Sequence, residues 1–297
     1  MVLVDPRDSG HVDRAVAAQS TDGRPVRPLR IGIINIMPRA EAYEPYVLAP
    51  LERSLIPVKP TWIRLRTHRY GSSDADRIRR GYVDFGEATR HEPLDGLIVT
   101  GAPVEELAFH EVHYWDELSD ILRDSRSRVA STLGLCWGGL ALAKLLGIDK
   151  STLERKLFGV FLHTNLLPTH ALLEGADDEF WCAHSRHSGI DAPRLEAARD
   201  SGVVRLLAHG SEAGHSIFES ADGRYVMHLG HPEYETDRIV HEWERDRAQG
   251  RADVDPPAHF NLAAPVNVWR SHRNDFFSQW LRRIAQASFV GRLRPDA

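Results

Sequence analysis

Apolar residues along this chain fall into two patterns, and their alternation predicts the architecture. Residues 29–37, 94–99 and 129–135 are nearly continuous apolar runs rich in branched side chains, the pattern of parallel strands buried on both faces. Trp62-Ile63-Arg64-Leu65 predicts a further strand. Between these runs apolar residues recur at helical spacing. One set is Val47, Leu48, Leu51 and Leu55, in a segment interrupted by Pro45 and Pro50; a second is Tyr114, Trp115, Leu118, Ile121 and Leu122; a third is Leu140, Leu142, Leu145 and Leu146, closed by Gly147. A short helix near Tyr82 is expected within the charged stretch 66–91. Strand and helix in this order predict an α/β fold, doubly wound, with a mostly parallel sheet flanked by helices.

Beyond Gly147 the pattern changes. Residues 156–161 read as a strand, and the sequence after them, with His163, His170, His184, Arg186 and His187, reads as polar and turn-rich. Short strands are expected at 203–208, 216–218 and 225–229, the last two joined by an Asp222-Gly223 hairpin signal. A helix through Ile239, Val240 and Trp243 and a final helix over 269–286 close the chain. Residues 1–28 read as a flexible tail and 29–290 as one domain.

Composition changes this picture little. The chain has 297 residues, 42% hydrophobic and 27% charged, as expected for a soluble globular protein. A net charge of -5 and a pI near 6.3 give no electrostatic reason to expect nucleic acid or an anionic membrane as partner. Two cysteines, Cys136 and Cys182, are too few for a disulfide framework and suit a reducing cytoplasm. No apolar run approaches transmembrane length or a signal-peptide core. The sixteen histidines show no metal-ligand spacing, so no metal is expected.

Candidate chemistry enters at Gly134-Leu135-Cys136-Trp137-Gly138, where an apolar strand meets a helical pattern. This is a G-x-C-x-G form of the nucleophile elbow, in which flanking glycines permit a crowded turn that holds the nucleophile at the carboxyl end of a sheet. The helix end favours a thiolate there, and the Trp137 N–H after the nucleophile is placed to stabilise an oxyanion. A lone cysteine is more often a buried structural residue, and the elbow shifts that balance. A nucleophilic cysteine needs a base and a group that orients it. His231 and Glu233 stand two apart at another strand exit, so the three residues compose a Cys-His-Glu triad.

The elbow together with Gly230-His231-Pro232-Glu233 resembles the class I glutamine amidotransferase superfamily, whose sheet is flavodoxin-like. Longer matches resemble one branch of it, the homoserine O-acyltransferases that open methionine biosynthesis: Asn35-Ile36-Met37-Pro38, Gly101-Ala102-Pro103-Val104-Glu105, Lys156-Leu157-Phe158-Gly159-Val160, His184-Ser185-Arg186, Glu242-x-x-Arg245-Asp246 and Trp269-Arg270-Ser271-His272. The resemblance implies ping-pong transfer of an acyl group from acetyl-CoA or succinyl-CoA to L-homoserine, with acyl-CoA a co-substrate and no cofactor. Cys136 would carry the acyl group, with His231 as base and Glu233 orienting it. Lys156, Ser185 and Arg245 match positions that hold the amino acid, Arg245 by a bidentate grip on its carboxylate. Ala102 and Trp137 would supply the oxyanion N–H groups. Glu105 matches the position that separates acetyl users, which carry Glu, from succinyl users, which carry Gly, so acetyl is favoured. A homodimer and a cytoplasmic location are also implied. The chain departs from the family pattern at Arg39 and Ala40, where two lysines are usual, at Leu140, where Gln is common, and in a shorter elbow helix. These departures leave serine open as an acceptor. A glutaminase-type amidotransferase domain and a non-enzymatic binding module remain as alternatives.

Overall fold

The computed structural model describes residues 27–292, and side chains through Ser288; the predicted tail lies almost wholly outside the described residues. Nine strands form one sheet in the order β2-β1-β3-β4-β9-β8-β7-β5-β6. Its first half is parallel: β2 (Val58–Ile63), β1 (Leu29–Ile34), β3 (Gly96–Val99), β4 (Ser131–Leu135) and β9 (Tyr225–His228). Of these, β1, β3 and β4 are the continuous apolar runs of the sequence, and β3, β4 and β9 are buried along their whole length. From β9 outward the sheet is antiparallel, through β8 (Gly214–Ser220), β7 (Val204–Gly210), β5 (Lys150–Asn165) and β6 (Glu179–Ile190). The sheet is therefore parallel where the elbow lies and antiparallel beyond it.

Helices α1 (Ala40–Glu52), α4 (Trp115–Arg128) and α5 (Trp137–Leu145) follow β1, the β3 turn and β4 as expected. Short helices α2 (Ala75–Gly81) and α3 (Phe85–Thr89) occupy the charged stretch, each capped by an aspartate side chain, Asp74 and Asp84. Helices α6 (Ala192–Asp200), α7 (Thr236–Ala248) and α8 (Arg270–Arg292) complete the chain. One apolar cluster packs Trp269, Phe276, Trp280 and Ile284 against one face of the sheet, and a second packs α4 and α5 against the other.

Three expectations are corrected. The helix α1 is continuous despite Pro45 and Pro50. The second strand starts at Val58, where it pairs with Leu29, and not at Trp62. The stretch expected to be polar and turn-rich contains the twelve-residue strand β6, paired along β5. Its polar residues mislead because they are buried: His184, Ser185, Arg186 and Ser188 are all inside. The interior accommodates them by pairing. His163 Nδ1 lies 3.0 Å from the Phe161 carbonyl, His163 Nε2 lies 3.2 Å from His184 Nε2, and Arg186 Nε donates to His184 Nδ1 at 3.3 Å. That order fixes one tautomer for each ring and leaves both neutral. His272 and Phe180 extend the stack, with ring centroids 3.8 Å apart.

Candidate active site

Between the last residue of β4 and the first of α5 there is only Cys136. It makes the turn at φ 49°, ψ -114°, a region that residues with side chains rarely occupy. Its flanking glycines are required by contact: a Cβ on Gly134 would lie 2.4 Å from the Gly138 carbonyl oxygen, and one on Gly138 2.4 Å from that of Val99. The Cys136 N–H donates to the His228 carbonyl at 2.8 Å, which ties the elbow to β9.

The chain leaving β9 brings in the partners. His231 faces Cys136 on one side, near enough for the two charges to act on each other, and its Nδ1 lies 2.7 Å from Glu233 Oε1 on the other. The imidazole stacks on Tyr234 at 4.1 Å between centroids. Glu233 Oε1 also accepts the hydroxyl of Tyr43, from α1. All five residues are buried. Burial pushes the Cys136 thiol up, and His231 beside it pulls back without cancelling that rise. Burial would lower His231, but Cys136 and Glu233 hold it well above the usual imidazole range. Around the sulfur, Gly101 leaves room that a Cβ would fill, 3.3 Å from His231 and 3.4 Å from Cys136 Cβ. The N–H groups of Ala102 and Trp137, at the ends of β3 and β4, donate to no backbone carbonyl among the described residues.

Lys156, Ser185 and Arg245 converge on two carboxylates of α7. Glu242 accepts the Ser185 hydroxyl, the Tyr234 hydroxyl at 2.8 Å and Arg238 at 2.9 Å, with Lys156 Nζ at 3.6 Å. Lys156 also donates to Asp246 at 2.6 Å. Burial alone would raise Glu242, but Lys156, Arg238 and Arg245 hold it down at about 2. Arg245 is 47% exposed and its guanidinium lies 2.7 Å from Asp246, so it is not the buried group expected from the sequence. Glu105 projects from the turn after β3: its Oε2 accepts the His187 N–H at 2.6 Å, and its carbonyl accepts the Ser188 hydroxyl at 2.7 Å and Lys150 Nζ. Burial raises its pKa, while the His187 N–H, His231 and Lys156 act against that rise.

Comparison with known proteins gives this arrangement a family. Residues 12–289 match the family described as homoserine O-succinyltransferase. The chain belongs to that family. Membership makes it an acyltransferase. It is 40% identical over 261 residues to a protein of Geobacillus kaustophilus named homoserine O-acetyltransferase, covering 86% of this chain and 85% of the relative. A protein of the same name from Bacillus subtilis (strain 168) is 36% identical over 260 residues, with 86% and 85% covered. One from Clostridium acetobutylicum is 38% identical over 261 residues, again with 86% and 85% covered. Among solved structures, a glutamine amidotransferase from Methylobacillus flagellatus aligns with TM-score 0.57 at 16% identity, covering 87% of this chain and 95% of its own. A glutamine amidotransferase from Thermotoga maritima aligns with TM-score 0.55 at 12% identity, covering 87% and 98%. These two likenesses establish the amidotransferase-like fold.

Sequence reasoning missed three side chains that this family member brings to the site. Tyr43 lies in a helix expected from its apolar spacing, and nothing in one sequence marks a hydroxyl that reaches Glu233, 190 positions away. Arg238 sits over the rings of Tyr43, Tyr46 and Tyr234, with its guanidinium carbon 5.5 to 6.0 Å from their centroids. Arg186 was named within the matching segment His184-Ser185-Arg186 and in a polar stretch, but without a role.

Proposed function

We propose that the protein transfers an acyl group, preferably acetyl, from acyl-CoA to the hydroxyl of L-homoserine through a thioester on Cys136. The observation that carries this reading is the buried chain Cys136–His231–Glu233 at a strained elbow, in a chain whose relatives at 36–40% identity are named homoserine O-acetyltransferase. In the first half, His231 takes the thiol proton as the sulfur attacks the donor carbonyl. The tetrahedral oxyanion faces the Ala102 and Trp137 N–H groups, and the carbon–sulfur bond to CoA breaks as His231 returns the proton to the leaving thiolate. In the second half the homoserine hydroxyl attacks the acyl-Cys136 carbonyl. His231 now takes the hydroxyl proton and passes it to the cysteine sulfur as the ester leaves. Glu233, fixed by Tyr43, holds Nδ1 protonated so that Nε2 is the free acceptor.

The substrate amino acid carries a positive amine and a negative carboxylate. The cluster of Lys156, Ser185, Glu242, Asp246 and Arg245 offers both signs of charge within one group of contacts, which suits such a zwitterion. Glu105 beside the sulfur favours a small neutral acyl group over a dicarboxylic one. The test is CoA release with acetyl-CoA or succinyl-CoA against homoserine or serine. Acetyl-CoA with homoserine is expected to turn over fastest. A wild-type chain that releases CoA with neither donor in the presence of homoserine refutes the reading, and faster turnover with serine refutes the acceptor assignment.

A further inference from the structure

One buried cation at the site makes no ion pair or hydrogen bond with a carboxylate among the described residues. Arg186 is 3% exposed, and its three donor groups end on neutral acceptors: Nε on His184 Nδ1 at 3.3 Å, one terminal nitrogen on the Ser188 carbonyl at 2.8 Å, the other on the Ala213 carbonyl at 2.6 Å. The other buried or half-buried cations of the neighbourhood are paired: Lys156 with Asp246 and Glu242, Arg238 with Glu242, Arg273 with Glu235. Taking a guanidinium out of water without a counter-charge is costly, and such a group persists where an anion must be met. Arg186 and Glu105 straddle one residue, Ser188, whose carbonyl accepts from the guanidinium and whose hydroxyl donates to the Glu105 carbonyl. Burial lowers the Arg186 pKa, and the groups that act against it are Cys136 and Glu105. The guanidinium thus lies within electrostatic reach of both Cys136 and Glu105.

We propose that Arg186 is the anion receptor of the acyl pocket: Glu105 supplies its balancing charge, and an acyl group ending in a carboxylate takes that role only when Glu105 is absent. The proposal rests on the acyl-transfer reading above and extends it to how the donor is chosen. Selection between neutral and dicarboxylic acyl groups is then made by a pair of charges and not by the bulk of Glu105 alone. In the present chain a distal carboxylate meets Glu105 and is repelled. With glycine at position 105 it meets a desolvated guanidinium and is favoured over a neutral chain of equal length.

Butyryl-CoA and succinyl-CoA separate charge from size, since both carry four-carbon acyl chains. Their kcat/KM values would be measured with homoserine for wild type, Glu105→Gly, and Glu105→Gly combined with Arg186→Gln or Arg186→Lys. In Glu105→Gly, succinyl is expected to exceed butyryl by about tenfold or more, a ratio that one desolvated charge pair readily supplies. Adding Arg186→Gln should return the ratio to near one while butyryl transfer persists, and Arg186→Lys should retain part of the preference. Equal use of the two donors by Glu105→Gly overturns the proposal, as does a succinyl preference unchanged by Arg186→Gln. Equal use of the two donors by Glu105→Gly is decisive even if the arginine variants do not fold, because that comparison leaves Arg186 untouched. A wild-type chain inactive with every thioester fails the underlying acyl-transfer reading, a result distinct from an unaltered donor ratio.

Discussion

Lowering the pH from 7 to 5 places its load on the interior of this protein. Burial holds His163 at a pKa of about 4 and His272 at about 3, against an ordinary 6.5. In the fold both rings stay neutral at pH 5, whereas in the unfolded chain both are charged, so unfolding takes up protons. For a depressed imidazole the stability is complete above the unfolded value of 6.5 and is lost as pH falls toward the folded value. At about 1.4 kcal/mol per pKa unit, the passage from pH 7 to 5 costs about 2 kcal/mol for each ring and about 4 kcal/mol for the two. His184 and His228, also lowered by burial, add in the same direction. His231, held up by Cys136 and Glu233, works the other way. Urea unfolding followed by tryptophan fluorescence at pH 7, 6 and 5 measures the slope. His272→Phe should flatten it by about 2 kcal/mol over that range. Phenylalanine keeps the stack on Phe180, and neither ring nitrogen of His272 has a partner to lose. An equal slope in variant and wild type, or stability that rises toward pH 5, would refute the reasoning.

Three further outcomes test the site. Cys136→Ser should abolish acyl transfer while the melting temperature stays within a few degrees, and His231→Ala should be nearly as damaging; a variant at either position with wild-type turnover ends the triad reading. Tyr43→Phe removes a charge-assisted bond to Glu233, so kcat should fall about tenfold with both KM values little changed; unchanged kcat would make the hydroxyl purely structural. Arg245→Ala should raise KM for the amino acid several-fold and leave that for acyl-CoA alone. Because Arg245 is half exposed and shares Asp246, the effect should be smaller than for a sealed carboxylate clamp, and equal changes in both KM values would assign it to the ion pair.

Legibility of the sequence followed burial chemistry. The strands β1, β3 and β4 are apolar on both faces, so a single run of side chains announces them. The elbow was legible for a different reason: two backbones cross within contact distance at Gly134 and Gly138, and glycine is the residue that permits it. The β5–β6 ribbon was half hidden. Its inward positions are histidine, serine and arginine satisfied by each other, and hydropathy cannot distinguish a satisfied buried polar residue from a solvated one. Lys156 was placed by the family pattern alone. It lies where the pairing register jumps between Thr152 and Leu157, an irregularity that aims it at α7 and has no mark in the sequence. Arg245 shows the converse: its position matched a motif, yet its exposure and its pairing with Asp246 needed coordinates.

In the proposed reading, one strand serves both substrates. Along β6, Ser185 turns toward Glu242 and the amino-acid cluster, while its neighbours His184, Arg186 and Ser188 turn toward the acyl side. On that reading, donor choice and acceptor choice are written in alternate positions of a single reading frame. Residues can be exchanged within either set independently, so the two selectivities can drift apart by substitution. Insertion or loss of one residue between His184 and Ser188 would swap the sets and present each substrate with the other's contacts. Lineages that change preference should therefore do so by replacement here, with the length of this segment held constant.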